Sequence, residues 1–353
     1  MMSIDTECDK VFSSIRLSLM LACLLGILLG VRLTSASWFS PQGRAATELL
    51  TLLREYRYAQ LHMGMKVQIT VWSESQSVAE TACKKAFRRI AELESVFSDY
   101  DPASEVSRLT VNAVEQPIAV SDELWEVLIF CKRLHELSDG AFDPTIAPVI
   151  SLWRMARRQG ELPLAKDIES ARARTGFQHL ILDENNQTVR CRIADMKLDF
   201  GGVAKGYIGD QVILILKQHG IESACYEAGG DFVLSDAPPN AAGWEINVAV
   251  GDEVGIKDGE RLSERKILTL ANCGVAVSGD TVQFVEIDGQ RYSHVVDPRT
   301  GIGLTTRQMA WVTAPSGMES DALATTGTII SANDFQTLLK QFPNVHGWSK
   351  DVR

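Results

Sequence analysis

The sequence lacks any excess of basic residues: 35 Lys and Arg stand against 45 Asp and Glu, a net charge of -10. A protein that grips nucleic-acid backbone needs a basic surface, so that class is excluded, and the partner is a small molecule or another protein. Paired cysteine spacing is also missing. Cys8, Cys23, Cys83, Cys131, Cys191, Cys225 and Cys273 fall singly, with no CxxC, so neither a zinc site nor a dithiol motif is indicated. The last five read as small buried hydrophobes; an exported protein usually carries an even, paired set, which leaves a disulfide open. The glycine-dense centre has neither GxGxxG nor Walker A spacing, which removes the two familiar nucleotide loops. No internal repeat or low-complexity stretch occurs. No apolar run reaches a comfortable membrane span either: residues 17–31, LSLMLACLLGILLGV between Arg16 and Arg32, have the length of a signal-peptide core.

That run reads as a targeting or anchoring segment. Thr34, Ser35, Ala36 and Ser37 resemble a small-residue cleavage site, whereas Arg32 and the acids Asp5, Glu7 and Asp9 favour a retained anchor equally well. Cys23 after Leu21 and Ala22 resembles a lipoprotein box, but more apolar sequence follows it than precedes it, which weighs against lipidation. The organisation expected is an anchor over residues 1–36, a linker over 37–44 and a folded domain over 45–353.

Within the domain, residues 45–58 read as a short polar helix and 66–72 (KVQITVW) as a half-buried strand. Apolar spacing predicts helices over 78–97 and 124–137, the second capped by Ser121, Asp122 and Glu123. Pro144 and Pro148 delay the next helix, residues 162–175 suggest a surface helix, and 180–182 with 188–193 a hairpin. After the central helix come strand-like runs at 224–228, 244–250, 266–270, 274–277, 283–287, 292–296 and 309–313. Asp288-Gly289 is the clearest hairpin signal. This half is β-rich and antiparallel in character, closing with helices over 320–330 and 334–341.

The centre is residues 198–212, LDFGGVAKGYIGDQV, which packs Gly201, Gly202, Gly206 and Gly209 with the charged pair Asp199 and Lys205 into an apolar frame. It is either a buried strand–turn–helix or a phosphate-binding helix start. Asp321 and Thr325 are four apart, so on a helix both oxygens face one side, a hard pair suited to Mg²⁺. The same spacing also suits an Asp near a helix N-terminus and a Thr bonded to backbone. Asp143, between Phe142 and Pro144, is either a turn-capping carboxylate or one held at a pocket mouth. His294 is a strand histidine unless a phosphate or hydroxyl lies in reach. Ser278-Gly279-Asp280 is expected to start a strand, and Asp297-Pro298 to make a turn.

Taken in order, Met63-Gly64, SDYDPASEVSRL (98–109), GAFDPTIAPVISLW (140–153), the central stretch, AGGD (228–231), VSGD (277–280), YSHVVDPRTG (292–301) and SDALATT (320–326) resemble the ApbE family of FAD:protein FMN transferases. The resemblance covers the chain after the linker except the C-terminal NVHGWSKDVR. It implies an α+β, ApbE-like, T-fold-related architecture of antiparallel sheets and flanking helices, with FAD in a cleft between two lobes. By position, Met63 and Tyr100 would contact the flavin nucleotide, Ala141, Phe142 and Asp143 would line the adenine or ribose side, and Gly201, Lys205 and Tyr207 would meet the cofactor. Ala204 (through its carbonyl), Asp321 and Thr325 would bind Mg²⁺, and His294 and Val295 would lie near the phosphates. Asp321 and His294 are the expected catalytic residues, His294 as base with a nearby Asp as competitor. The activity implied is transfer of FMN from FAD to a Thr or Ser hydroxyl of an acceptor flavoprotein, releasing AMP. FAD pyrophosphatase activity and simple FAD binding are the alternatives. The expected location is the inner membrane, held by the N-terminal segment, with the domain on the periplasmic side and no nucleic-acid partner.

Overall fold

Period-two alternation of apolar and polar side chains builds the sheet on which the rest packs. The computed structural model describes residues 53–257, 260–279 and 284–351. Arg54–His62 (β1) and Met65–Ser73 (β2) form the first hairpin, followed by helices Gln76–Phe97 (α1) and Glu105–Asn112 (α2), strand Ile118–Ala119 (β3) and helix Asp122–Leu137 (α3). A 3-10 turn, Pro144–Ile146, leads into Ala147–Gln159 (α4) and Ala165–Arg172 (α5), then Leu180–Asp183 (β4), Thr188–Cys191 (β5) and Ala204–Gln218 (α6). The strands Ala224–Ala228 (β6), Asp231–Leu234 (β7), Trp244–Lys257 (β8), Glu260–Leu270 (β9), Cys273–Gly279 (β10), Phe284–Ile287 (β11), Gln290–Ser293 (β12), Val296–Asp297 (β13), Ile302–Gly303 (β14) and Gln308–Ala314 (β15) follow. Gly317–Gly327 (α7), Ala332–Leu339 (α8) and His346–Asp351 (β16) complete the described chain.

Seven strands form one antiparallel sheet in the order β1-β2-β6-β7-β10-β15-β16. Its two faces are written in the alternation. Val67, Ile69, Val71, Tyr226, Val233, Ala276 and Val312 point to the face covered by α1, α6 and α7. Trp72, Cys225, Leu234, Val275 and Trp311 point to the other, covered by the β8–β9 hairpin through Trp244, Ile246 and Val248. Each large apolar side chain so buried contributes about 1.5–3 kcal/mol, and a one-residue slip of any strand would send its set to the wrong face. α1 presents Ala79, Ala82, Ala86, Ile90 and Leu93 to the sheet and starts at Ser75, whose hydroxyl accepts the Val78 N–H at 3.3 Å.

The antiparallel second half, the two amphipathic helices and the Asp288-Gly289 hairpin are as the sequence predicts, both turn residues having positive φ (52° and 77°). Three expectations are corrected. Residues 54–58, expected to be helical, belong to β1: pairing with β2 decides the conformation, and Tyr56 and Tyr58 pack on the helix-side core. Ser278 and Gly279 end β10 rather than start a strand, while Asp280 lies outside the described residues. α7 begins at Gly317, not Ser320, because Ser316 caps it by accepting the Glu319 N–H at 3.1 Å. The C-terminal stretch forms the edge strand β16, and residues 105–112 form α2. The expected anchor (1–36), the linker (37–44) and residues 45–52 lie outside the described residues; among the described ones no helix is long and apolar enough to cross a membrane.

Cys83, Cys131, Cys191 and Cys225 are buried, Cys273 is half-buried, and all five are free thiols. Burial pushes Cys83 up to about 12 and Cys191 to about 11, so neither is a thiolate near neutral pH.

Candidate active site

The central stretch and the Asp321 stretch meet because their glycines let backbones touch. A Cβ on Gly206 would lie 1.9 Å from the Gly317 carbonyl oxygen, so α6 and α7 cross at that point without side chains between them. One turn on, a Cβ at Gly209 would fall 2.4 Å from Val233 and 2.6 Å from Tyr226, which seats α6 on the sheet. The approach these two glycines permit is therefore to protein, not to a ligand.

Asp210 locks the joint. Its carboxylate accepts the Gly317 N–H at 2.6 Å and the Met318 N–H at 2.9 Å, two of the donors that a helix start leaves unpaired. Burial nevertheless pushes this carboxyl up to about 7, the two N–H bonds opposing it. Burial raises Asp231 too, against the opposing charge of Lys205 beside it. An unfolded carboxyl titrates near about 4, so between those values the folded chain holds protons that the unfolded chain has released. Stability is then greatest below the unfolded value and is lost as pH rises through about 7. Thermal melts should show Tm falling between pH 5 and 8, and Asp210→Asn should make that slope shallower; an unchanged slope would refute the assignment.

Lys205, on the first turn of α6, places its ammonium among three oxygens: Asp321 Oδ1 at 2.9 Å, Asp231 Oδ2 at 3.2 Å and the Gly201 carbonyl at 3.2 Å. Burial works against this charge, but Asp321 and Asp231 outweigh it and raise the lysine well above its ordinary value. Asp321 Oδ2 accepts the Gly206 N–H at 3.1 Å. The anion that the start of α6 attracts is thus a side chain of the protein itself. When both are ionised, the two buried carboxylates facing one ammonium leave a surplus of one negative charge, and Tyr226, fully buried within their field, has a hydroxyl without a hydrogen-bond partner among the described residues.

These residues fit a hard divalent cation. Gly202 lies against Thr325, a Cβ there falling 3.1 Å from Thr325 Oγ1, and Gly206 lies against Asp321, so Ala204 sits between two contacts with α7. A carboxylate, a hydroxyl and a peptide carbonyl are oxygen donors, and the surplus charge suits a cation. Among the described residues no group of three His, Cys, Asp or Glu side chains is arranged to hold a metal.

The other expected residues fall in separate places. Phe142 is brought in: its ring lies 3.4 Å from a Cβ on Gly202. Ala141 and Asp143 are buried behind it, and Asp143 accepts the Thr145 N–H at 2.8 Å and the Phe177 N–H at 3.2 Å, with His135 3.5 Å away. Its carboxylate is thus engaged in shaping the loop. Met63 is at the tip of the β1–β2 hairpin with φ 52°, next to Gly64 at 70°, and its N–H is held by Glu94 Oε1 at 2.5 Å. Tyr207 points away from Lys205, its hydroxyl donating to Glu126 on α3 at 3.0 Å. Tyr100 is exposed beside Arg154. His294 and Val295 form the bend between β12 and β13, where the Val295 N–H is taken by Ser293 Oγ at 3.0 Å. Asp199 and Lys205, paired in sequence, take different partners: Asp199 joins Arg154 at 2.7 Å. Sequence reasoning missed Asp231 as the second lysine partner, Asp210, Glu94 and Arg154. The GGD turn was the one local signal for Asp231.

The family model described as "ApbE family" matches residues 63–347. Among curated proteins, a FAD:protein FMN transferase of Treponema pallidum is 29% identical over 306 residues, covering 83% of each chain. One from Vibrio cholerae is 31% identical over 241 residues, 67% of this chain and 70% of that one. Among solved structures, the flavin transferase ApbE from Vibrio cholerae superposes with a TM-score of 0.74 at 26% identity, covering 85% of this chain and 96% of that one. The apbe protein from Thermotoga maritima gives 0.70 at 26% identity, covering 85% and 97%.

Proposed function

The chain belongs to the ApbE family, and from that premise we propose that it transfers the FMN part of FAD to a threonine or serine hydroxyl of an acceptor flavoprotein, releasing AMP. The observation that carries the reading is the α6–α7 joint, where Lys205 donates to the buried Asp321 carboxylate at 2.9 Å and Gly202, just before α6, lies against Thr325.

In this reaction a bond forms between the acceptor oxygen and the FMN phosphorus, and the anhydride bond to AMP breaks. Asp321, Thr325 and the Ala204 carbonyl would hold Mg²⁺, which when bound offsets the charge developing on the pyrophosphate. Lys205 has its three ammonium hydrogens engaged, so its part is to orient Asp321 and Asp231 and to balance their charge. Gly202 and Phe142 shape the wall beside Thr325. The acceptor hydroxyl must lose a proton, and His294 is the base proposed to take it. Replacing it by alanine should lower transfer at saturating FAD roughly 10²-fold with FAD affinity little changed. Undiminished transfer would remove His294 from that role.

We also propose that residues 1–36 anchor the chain in the inner membrane, that 37–44 link it, and that the domain over 45–353 works on the periplasmic side. Residues 17–31 support this, and protease added outside spheroplasts should digest the domain. The activity is tested by incubating the full-length protein with FAD, Mg²⁺ and an acceptor domain. Flavin fluorescence on the denatured acceptor establishes transfer. Free FMN without labelled acceptor means a pyrophosphatase, and intact FAD a binding protein; either overturns the proposal.

A further inference from the structure

Trp153 and Arg154 are neighbours on α4 that serve different parts of the fold. Trp153 packs with Val296 and Tyr292 and donates its indole N–H to the Gly301 carbonyl at 2.9 Å. Arg154 gathers two distant stretches. One guanidinium nitrogen donates to Asp99, another to Asp199 Oδ2 at 2.7 Å, and the group lies 4.5 Å from the centre of the Tyr100 ring. The second oxygen of Asp199 accepts the Gly201 N–H at 2.7 Å, and the Asp199 N–H donates to the Pro144 carbonyl at 2.7 Å.

Each arm needs this support. Tyr100 is 76% exposed, and its ring lies against the Arg154 guanidinium. The loop before α6 has no side-chain cap at Val203. Asp199 holds its first free amide at Gly201, and Asp199 is itself a nearly buried carboxylate that requires a cation. Only a planar guanidinium can satisfy two carboxylates from separate stretches and lie over a ring; a lysine ammonium supplies charge without the fork. Arg157, one turn further along α4 and half-buried, makes no ion pair among the described residues, so positive charge is present nearby without doing this.

We propose that Arg154 is a positioning residue of the flavin site, joining the Tyr100 ring and the Asp199–Gly201 loop into one unit so that two walls of the FAD cleft keep a fixed spacing. The inference rests on the reading of the chain as an FAD-binding transferase, since Tyr100 and Gly201 are walls of that cleft only under it. Arg154 touches no reacting atom; it acts through Tyr100 and Asp199.

The test has a readout without FAD and one with it. In Arg154→Lys, amide exchange in peptides spanning 98–104 and 198–204 should accelerate about tenfold or more, while peptides from α1 stay as in the wild type. The KM for FAD should rise about tenfold with kcat within a factor of about two, because the pieces of chemistry remain and only their spacing loosens. Tyr100→Ala should add little further to KM in the Arg154→Lys background, and Arg157→Gln should reproduce neither effect. Unchanged exchange in both peptides, an equal loss from Arg157→Gln, or a fall in kcat at constant KM would overturn the assignment. A wild-type protein that binds no FAD would instead overturn the transferase reading, and the exchange result would still decide whether Arg154 is the clamp.

Discussion

Asp321→Asn protein is expected to transfer FMN roughly 10²–10³-fold more slowly than wild type, with FAD affinity changed only a few-fold. The substitution keeps the volume and leaves one oxygen to accept from Lys205 or from the Gly206 N–H, which Asp321 now serves together at 2.9 and 3.1 Å. The charge is lost. Among the described residues Asp231 is then the one carboxylate facing Lys205, the surplus of negative charge in the corner disappears, and with it the attraction for a divalent cation. Single-turnover transfer measured against FAD binding separates the two consequences: an interaction made only as the anhydride breaks lowers the rate constant and leaves ground-state affinity alone. Folding must be checked in parallel, because Asp321 is 3% exposed and its amide would face a buried ammonium. A melt close to wild type with transfer abolished is the expected pair of results. Full activity would remove Asp321 from the metal site, and equal losses in binding and rate would make it a binding residue only.

How much of this was legible in the sequence depends on the range of the interaction. The strands and helices carry their own periodicity, so Lys66–Trp72 alternates and the α1 stripe repeats every three to four residues, and both were readable. β1 was misread because Arg54 to Tyr58 is an edge segment whose conformation is imposed by β2, its partner across the hairpin. In the site, Asp321 and Thr325 were visible because their spacing is local to one helix. Asp231 and Lys205 are 26 positions apart in the chain and meet only because Gly209 seats α6 against Val233 of β7. Arg154 was invisible for the same reason: Asp99 and Asp199 are 55 and 45 positions away, and nothing in the run LWRMARR distinguishes the clamping arginine from Arg157 and Arg158. The glycines gave a true signal with a different meaning, since close approach was required but the approaching group at Gly206 is the Gly317 carbonyl.

That contact gives the largest stability prediction. Gly206→Ala adds one methyl group on α6, where alanine is otherwise the better helix former by roughly 1 kcal/mol, so a solvent-facing site would gain. Here the new carbon would sit 1.9 Å from the Gly317 oxygen and 2.9 Å from Asp321 Cβ, and the obstructing atoms are helix backbone that no rotamer change can move. α6 and α7 must separate, which pulls Asp210 from the Gly317 and Met318 amides, the Gly206 N–H from Asp321, and Lys205 from the same carboxylate. Overpacking alone costs about 1–3 kcal/mol, and the broken buried hydrogen bonds add about 1 kcal/mol each, so a loss of about 4 kcal/mol or more is expected. At roughly 2–4 °C per kcal/mol for a domain of this size, Tm should fall by roughly 10 °C. Gly279→Ala, whose new carbon meets neighbours only at 3.5 Å, is the matched control and should melt within a few degrees of wild type. Transfer should fail in the Gly206→Ala protein even below its melting temperature, because the same separation dismantles the Lys205–Asp321 corner. A Gly206→Ala protein with wild-type Tm and activity would show that the two helices do not meet backbone to backbone, and the joint on which the site is built would have to be redrawn.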